Sequence, residues 1–586
     1  MKKPRSLPLA TPIWLASVLL VASLTGCASS GTQTASAKVD PLERYRKQAV
    51  EWKTCDSTIL GNEEDWGDDP DEDEEIDISM DSAKRKYGNR LRCASIRAPL
   101  DWAKPDRGDV VISLLRLAAR KPDQRRGSLL INPGGPGADG LPMAFNIEQL
   151  LIEKGDAEHP ERALHLQLVN EYDMVGFSPR GTGASTQLRC ASNELVHTLD
   201  YSAAGMTPQN IANARYNNRK ETEACLKNPI TPFINTDATA RDMDLIRGLL
   251  GDGKLNYLGY SYGTWLGAWY ASLFPDRVGR MVLDSYIDFS RPLDFVPPQI
   301  PARQRALDDI LIPYAVRHAR HFQLGTSEAA VRRSMADLSA RMQHTVAVPL
   351  MLTGYRRDGA DDFLEIIAIA RELDGLFKSM PKPLNFAAAE KAAQRLPFIT
   401  RIPARKADRQ IIAQRLLASY FESLRNPKRE SLDLDFNAST YAAIRCNDAP
   451  ASVDENAWEK RIKESAERTP HFFFGLYGNP CTTWTRPSVT QPDWSPLRSL
   501  DLLLVQSQYD VATPLEGANA FFDQLPRAYR VYVRGELEHG VFPYRDKNCV
   551  DQTVARYLLG ESPAQRETVC PAHPLPLDAR KPQNRK

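Results

Sequence analysis

The sequence lacks a large charge of one sign. Its 75 Lys and Arg stand against 74 Asp and Glu, for a formal net charge of +1. Proteins whose main partner is nucleic acid carry a marked basic excess, so the balance argues against that class. It also lacks an apolar run long enough to cross a bilayer as a helix, which takes about 20 residues. No C-x-x-C or H-E-x-x-H spacing is present, so the common zinc frames are missing. The close pair His318 and His321 sits in a basic helical stretch and reads as a solvated face. No internal repeat is visible, which excludes solenoids and propellers. What is there is ordinary for a globular protein with a real core: 42% of residues are apolar and 25% charged. The length fits about two to four domains, or one large domain with a big insertion.

The N-terminus carries Lys2, Lys3 and Arg5, then an apolar run from Ile13 to Ser23, then Leu24-Thr25-Gly26-Cys27. This order fits an export signal and resembles the bacterial lipoprotein signal. The resemblance implies that residues 1–26 are removed and that Cys27 is lipidated. Acyl chains on Cys27 would hold the protein to a membrane without a spanning helix. Ala28, where an Asp would retain the protein at the inner membrane, implies an outer-membrane destination. Residues 27–50 are small and polar at their start and read as a flexible tether. Residues 63–77 are densely acidic and read as a solvated loop; no EF-hand spacing is present. Setting Cys27 aside leaves Cys55, Cys93, Cys190, Cys225, Cys446, Cys481, Cys549 and Cys570. An even number in an exported chain points to disulfides. Pairing in chain order closes four modest loops and is the expectation.

From Cys93 the texture alternates between apolar strands and amphipathic helices. DVVISLLRLAAR, GSLLINPGGPGADG, LVNEYDMVGFSPRGTGAS, KLNYLGYSYGTWLGAWYASLF and GRMVLDSYID each begin as a strand. Residues 291–490 are mainly helical. Alternation resumes with DLLLVQSQYD and YRVYVRGELEHGVF. Strands alternating with helices predict a mostly parallel sheet covered on both faces. The reading is one α/β sheet in two halves, 51–290 and 491–586, interrupted by a helical insertion over 291–490.

Ser261 stands in G-Y-S-Y-G, after the strand KLNYL and before a helix. A serine hydroxyl needs a base within hydrogen-bond reach and a third group to orient that base. In the G-x-S-x-G layout the serine projects from a strained strand-to-helix turn, and the acid and then the histidine follow in the chain. Asp510 closes the strand LLLVQSQYD. His539 follows the next strand; the other later histidine, His573, lies in a Pro-rich tail. An oxyanion site needs two backbone N–H groups. Tyr262, which follows the serine, supplies one candidate, and Gly134 or Gly135 in NPGGPG supplies the other. No Lys-Ser/Thr follows that loop, which argues against a phosphate cradle.

NPGGPG, FSPRGTGAS, GYSYGTWLG, QYDVATPLEGA and EHG together resemble the tripeptidyl and prolyl aminopeptidase family of α/β-hydrolases, over residues 90–290 and 440–570. The resemblance implies an α/β-hydrolase fold whose helical insertion caps the site. It implies Ser261 as nucleophile, Asp510 as orienting acid and His539 as base, acting on short peptides with no metal or organic cofactor. Four sequential disulfides fit its secreted branch. One departure stands out: Ser178 occupies the place where the family's D-P-R-G-x-G-x-S turn has Asp, which puts the support of the site in question; Arg180 in the same turn is expected to make buried hydrogen bonds. An aminopeptidase must also hold a free α-ammonium with a carboxylate, and Asp448, where the chain returns from the cap, is the candidate. An esterase or amidase on small acyl substrates, or a non-catalytic surface lipoprotein, are the alternative functions.

Overall fold

The apolar runs become eleven strands. β1 (Leu91–Pro99), β2 (Asp109–Leu117), β3 (Gly127–Asn132) and β4 (Tyr172–Phe177) come first. A short β5 (Cys190–Val196) is followed by β6 (Leu255–Tyr260) and β7 (Val278–Asp284). After a long helical stretch come β8 (Glu430–Leu434), β9 (Leu503–Ser507), β10 (Tyr529–Arg534) and β11 (Glu567–Pro571). The computed structural model describes residues 40–55, 80–153, 160–294, 296–424, 430–448, 454–485, 489–543 and 549–579. The signal segment with Cys27 and the acidic stretch 63–77 lie outside the described residues.

Nine strands form one sheet in the order β1-β2-β4-β3-β6-β7-β9-β10-β11. β2 runs antiparallel to both β1 and β4, and every other neighbouring pair is parallel. Every residue of β3, β4 and β9 is buried, as expected of parallel strands covered on both faces. Successive side chains go to opposite layers. Leu130, Tyr257 and Leu504 join Trp265 and Trp269 on one side; Leu129, Leu258 and Val505 join Val531 and Phe145 on the other. The fold is therefore the mostly parallel α/β sheet that strand alternation predicts. β1, β11 and the small β5–β8 ribbon escape a reading of the sequence.

The inserted helices have a core of their own. Phe363, Ile367, Phe377, Leu416, Trp458 and Phe473 meet there. Three of these helices start with Ser327, Ser339 or Asn385, whose side chains accept from the backbone N–H three residues on. The segment 291–490 is not all insertion, however. The helix Phe436–Asp448 packs Ala442, Ala443 and Ile444 into the sheet core. Asn447, near its end, donates to the carbonyls of Thr231 and Ile234 at 2.7 and 2.8 Å. Helical periodicity is the same on either surface, so the sequence pattern does not distinguish the two.

The tether expected over 27–50 is also shorter than read. Glu43–Arg46 forms a helical turn and buries Tyr45, whose hydroxyl donates to Asp109 at 2.6 Å. Gln48 exchanges two hydrogen bonds with the backbone of Arg97, each 2.8 Å. Apolar and amide side chains here find partners that small polar residues would not.

The cysteines pair in chain order: Cys55–Cys93, Cys190–Cys225, Cys446–Cys481 and Cys549–Cys570. Loops of this length lose about 3–4 kcal/mol of chain entropy each when closed. Four disulfides mark a protein of an oxidising, exported compartment. Among the described residues no helix is long and apolar enough to cross a membrane.

Candidate active site

β6 ends at Tyr260 and the helix Tyr262–Leu273 starts two residues later, so Ser261 alone turns the chain. Its backbone takes φ 53° and ψ −123°, a conformation that costs a non-glycine residue about 1–3 kcal/mol. The surroundings impose it. The Ser261 N–H donates to the Asp284 carbonyl at 3.0 Å, and its carbonyl accepts from Thr264 N–H at 2.9 Å and Thr264 Oγ1 at 2.6 Å. A Cβ on Gly263 would stand 2.8 Å from Asn132 Oδ1, so only glycine lets the helix lie this close to β3. The Ser261 hydroxyl does not cap the helix and stays partly exposed.

Asp510 and His539 occupy the loops after β9 and β10. His539 Nδ1 lies 3.0 and 2.9 Å from the two carboxylate oxygens of Asp510. Asp510 is almost wholly buried. Its Oδ1 accepts from the N–H groups of Ala512 and Thr513, both at 2.8 Å, and its Oδ2 from Thr513 Oγ1 at 2.7 Å. Burial opposes its charge, yet the His539 ring and the Thr513 donors hold it below the ordinary carboxylate range. His539 is pushed down by burial but drawn above its ordinary value by Asp510, with Asp284 and Glu538 adding to the pull.

A residue that sequence reading passed over joins the two halves. Asp284 ends β7 beside Tyr260. Its carbonyl holds Ser261, and its carboxylate accepts from Val541 N–H at 3.0 Å and Phe542 N–H at 2.8 Å. Ser285 Oγ accepts from Gly540 N–H at 2.8 Å. The serine and the histidine loop are thus tied to the same strand end. Burial raises the Asp284 carboxyl to about 7 against the pull of those amides. No hydrogen bond joins Ser261 Oγ to His539 among the described residues; such bonds are often open before substrate arrives.

Only a neutral imidazole accepts a proton. Because His539 is raised, kcat/KM is expected to climb with pH through a midpoint above the ordinary 6.5. Asp284 faces the same ring, so the limb belongs to the pair. Initial rates from pH 5 to 9 check this; a midpoint at or below 6.5 would contradict the Asp510–His539 coupling.

Gly134 brings the glycine-rich loop against the serine. A Cβ there would stand 3.1 Å from Ser261 Cβ and 3.0 Å from Tyr262 N. Its own N–H is taken by Asn132 Oδ1 at 3.0 Å. The N–H groups of Gly135 and Tyr262 have no acceptor among the described residues. Of the two glycines named from the sequence, Gly135 therefore offers the free donor and Gly134 the close approach. Tyr262 opens its helix, where the dipole also favours negative charge.

Asp448 is not where an amine could reach it. It is buried, its Oδ1 accepts from Thr236 N–H at 3.1 Å, and its Oδ2 accepts from Thr236 Oγ1. Thr236 Oγ1 also meets the hydroxyl of Tyr262. Burial lifts the Asp448 carboxyl to about 7. The geometry makes it a support beneath Tyr262, which corrects the expectation of an amine-binding role; the turn signal N-D-A-P gave no hint of its depth.

Ser178 is compensated. Its hydroxyl donates to Asp139 Oδ1 at 2.7 Å, so a carboxylate from the glycine-rich loop sits against the serine. Arg180 in the same turn is buried and forked on Asp242 by two bonds of 2.7 Å. We expect Ser178→Asp alone to set two buried carboxylates face to face, at a cost of roughly 3 kcal/mol and a fall in activity of at least tenfold. Adding Asp139→Ser restores one carboxylate and one hydroxyl. Melting temperatures and rates of both single variants and the double variant read the coupling; purely additive losses would mean that the two residues do not act as a pair. Among the described residues no group of His, Cys, Asp and Glu could hold a metal ion.

A strained serine after the parallel strand β6, with an acid and a histidine on the loops after β9 and β10, defines a hydrolase of the α/β-hydrolase fold. Comparison with known families agrees: residues 127–363 match the alpha/beta hydrolase fold, and residues 473–570 match the TAP-like protein family. The chain belongs to the α/β-hydrolases, in their TAP-like branch. It is 27% identical over 504 residues to the tripeptidyl aminopeptidase of Streptomyces coelicolor, across 83% of this chain and 84% of that one. It is 25% identical over 572 residues to serine protease Hip1 of Mycobacterium tuberculosis, across 94% and 95%. It is 29% identical over 491 residues to carboxylesterase B of the same species, across 80% and 84%.

Proposed function

We propose that this protein is an exported serine aminopeptidase that removes short peptides from a free N-terminus, held at the outer membrane through a lipidated Cys27. The observation that carries the reading is the Asp510–His539 pair tied, through Asp284, to a strained Ser261 flanked by free backbone donors. The similarity to a tripeptidyl aminopeptidase and to a serine protease supports the peptide as substrate.

Ser261 Oγ attacks the scissile carbonyl while His539 Nε2 takes its proton. Asp510 holds Nδ1–H and stabilises the imidazolium. The oxyanion is received by the N–H groups of Tyr262 and Gly135, which have no acceptor among the described residues. His539 then protonates the leaving amine. Water, deprotonated by the same ring, releases the acyl group from the serine. The cap overhangs this chemistry: the Tyr355 ring stands 6.5 Å from His539, and Arg357 N–H donates to Glu538 at 3.0 Å.

The similarity to a carboxylesterase favours one rival, an esterase on small acyl substrates. A free-amine tripeptide anilide, its N-acetylated twin, a proline anilide and a short acyl ester separate the two. Cleavage of the free-amine tripeptide with the acetylated twin spared is the expected outcome. Turnover of the ester alone would replace the aminopeptidase reading with the esterase one.

A further inference from the structure

Both backbone donors offered to the oxyanion trace back to one helix. The helix Phe436–Asp448 is where the chain returns from the cap. Its start lies against the glycine-rich loop: a Cβ on Gly137 would stand 2.5 Å from the Asn437 carbonyl oxygen and 3.2 Å from Tyr441 N. Beside Tyr441, Thr440 Oγ1 donates to the Gly181 carbonyl at 2.8 Å. Thr182, next to Gly181, donates through Oγ1 to the Gly137 carbonyl at 2.7 Å. Gly135, whose N–H has no acceptor among the described residues, lies two residues before Gly137. The last residue of the same helix, Asp448, ends behind the other donor, Tyr262.

This second connection runs through Thr236, the first residue of the helix Thr236–Leu249. Asp448 Oδ1 accepts from Thr236 N–H at 3.1 Å, and Asp448 Oδ2 accepts from the Thr236 hydroxyl. The hydroxyl gives its one hydrogen there, so its oxygen is left to accept from the Tyr262 hydroxyl. All three residues are buried, and in such surroundings the members of a hydrogen-bond chain strengthen one another. The start of the helix does not need this bridge. Asn235 caps it by accepting from Ala238 N–H at 2.9 Å, and Asp448 already takes the Thr236 N–H. What the hydroxyl adds is a hold on the far end of the Tyr262 side chain.

Such a hold matters because the neighbouring residue is strained. Ser261 keeps φ 53° only while its surroundings impose it. When anchors loosen, a strained turn relaxes, and rotation of the Ser261–Tyr262 peptide carries the Tyr262 N–H with it. Two phenol hydroxyls oppose that rotation. Tyr257 donates to the Gly263 carbonyl at 2.8 Å, one residue after Tyr262, and Tyr262 itself is fastened to Thr236.

We propose that Thr236 and Asp448 are positioning residues for the oxyanion donor Tyr262, and that the helix returning from the cap thereby sets both donors. Thr236 and Asp448 are buried behind Tyr262 and act through it. The proposal rests on acyl transfer to Ser261 as read above, and it holds for a peptide and for a simple ester alike, because both pass through the same oxyanion.

Thr236→Val tests it, since valine keeps the shape and the N–H bond to Asp448 and removes only the hydroxyl bridge. Tyr262→Phe breaks the same bridge from the other side, and serves alone should Thr236→Val not fold. The full-length protein in detergent is assayed on the free-amine tripeptide anilide and on a short acyl ester. It is also titrated with the boronic acid analogue of trialanine, whose tetrahedral adduct on Ser261 sets an oxygen where the oxyanion forms. Each variant is expected to lose about tenfold in kcat, less than the roughly 10²–10³ of a donor removed outright, with KM unchanged. The inhibition constant of the boronic acid should rise by the same factor, as it does for a mimic of the transition state. Thr236→Ser, which returns the hydroxyl, should bring both back toward the intact values. The double variant should lose no more than either single one, because both break one bridge. A lower melting temperature with kcat and boronate inhibition as in the intact enzyme would give the bridge to stability and overturn the proposal. A rise in KM with kcat kept would overturn it as well. A protein without Ser261-dependent turnover on either substrate would sink the catalytic reading and this one with it. An active enzyme with unaltered rates in Thr236→Val and Tyr262→Phe would keep that reading and sink this one alone.

Discussion

Ser261→Ala lowers kcat by about 10⁶-fold, the loss expected when the nucleophile of a Ser-His-Asp unit is removed, and leaves the melting temperature unchanged. Both halves of that result have a structural cause. The hydroxyl does not cap its helix and stays partly exposed, so the fold loses no structural partner when it goes. The backbone at φ 53° is equally strained with alanine, because the strain belongs to the Cβ. Ser261→Gly removes the Cβ as well. It should be just as inactive yet about 1 kcal/mol more stable, after allowance for the greater freedom of unfolded glycine. Rates on the tripeptide anilide and thermal melts of the three proteins check both statements. A glycine variant no more stable than the alanine one would mean that the turn stores no strain. Turnover within tenfold of the intact enzyme in either variant would remove Ser261 from the chemistry.

Ser261, Asp510 and His539 were legible because each is fixed by local rules: a glycine-flanked turn after a strand, and two polar residues at the ends of later strands. The central sheet was legible for a related reason. β3, β4 and β9 are buried on both faces and read as unbroken apolar runs. What stayed hidden depends on pairings far apart in the chain. Asp284 meets Val541 and Phe542 across more than 250 residues. Thr236 meets Asp448 across 212. Asp139 meets Ser178 across 39. None of these polar residues differs in pattern from a turn residue. Asp448 shows the consequence: its position after the cap marked it for substrate, while its burial under Tyr262 gives it to the scaffold. Ser178 shows the converse. Read alone it was a departure from the family's turn, and only the fold reveals the carboxylate that answers it.

Asp510→Asn should cost about 10⁴-fold in kcat, the loss seen when a buried triad acid becomes an amide, although it changes one atom. The surrounding bonds dictate how the amide lies. Ala512 and Thr513 both present N–H donors to Oδ1, so that position must keep the oxygen. The NH₂ group then falls where Oδ2 was, facing Thr513 Oγ1 and His539 Nδ1. Thr513 adapts by turning its hydroxyl to accept. His539 Nδ1 lies 2.9 Å from that NH₂ position and 3.0 Å from the retained oxygen, and the nearer amide donor draws the ring toward the tautomer in which Nδ1 accepts and the proton sits on Nε2. That tautomer points a donor at Ser261 and has no lone pair with which to take the serine proton. Losing the negative charge also removes the main pull that raises His539, so the residual activity should rise with pH at a lower midpoint than in the intact enzyme. The melting temperature should move by only a few degrees, since each hydrogen-bond position stays filled. An Asp510→Asn variant that folds and retains a tenth or more of the activity would show that His539 is oriented by something other than Asp510. The position of its acid limb would then say whether Asp284, the other carboxylate facing the ring, has taken over that task.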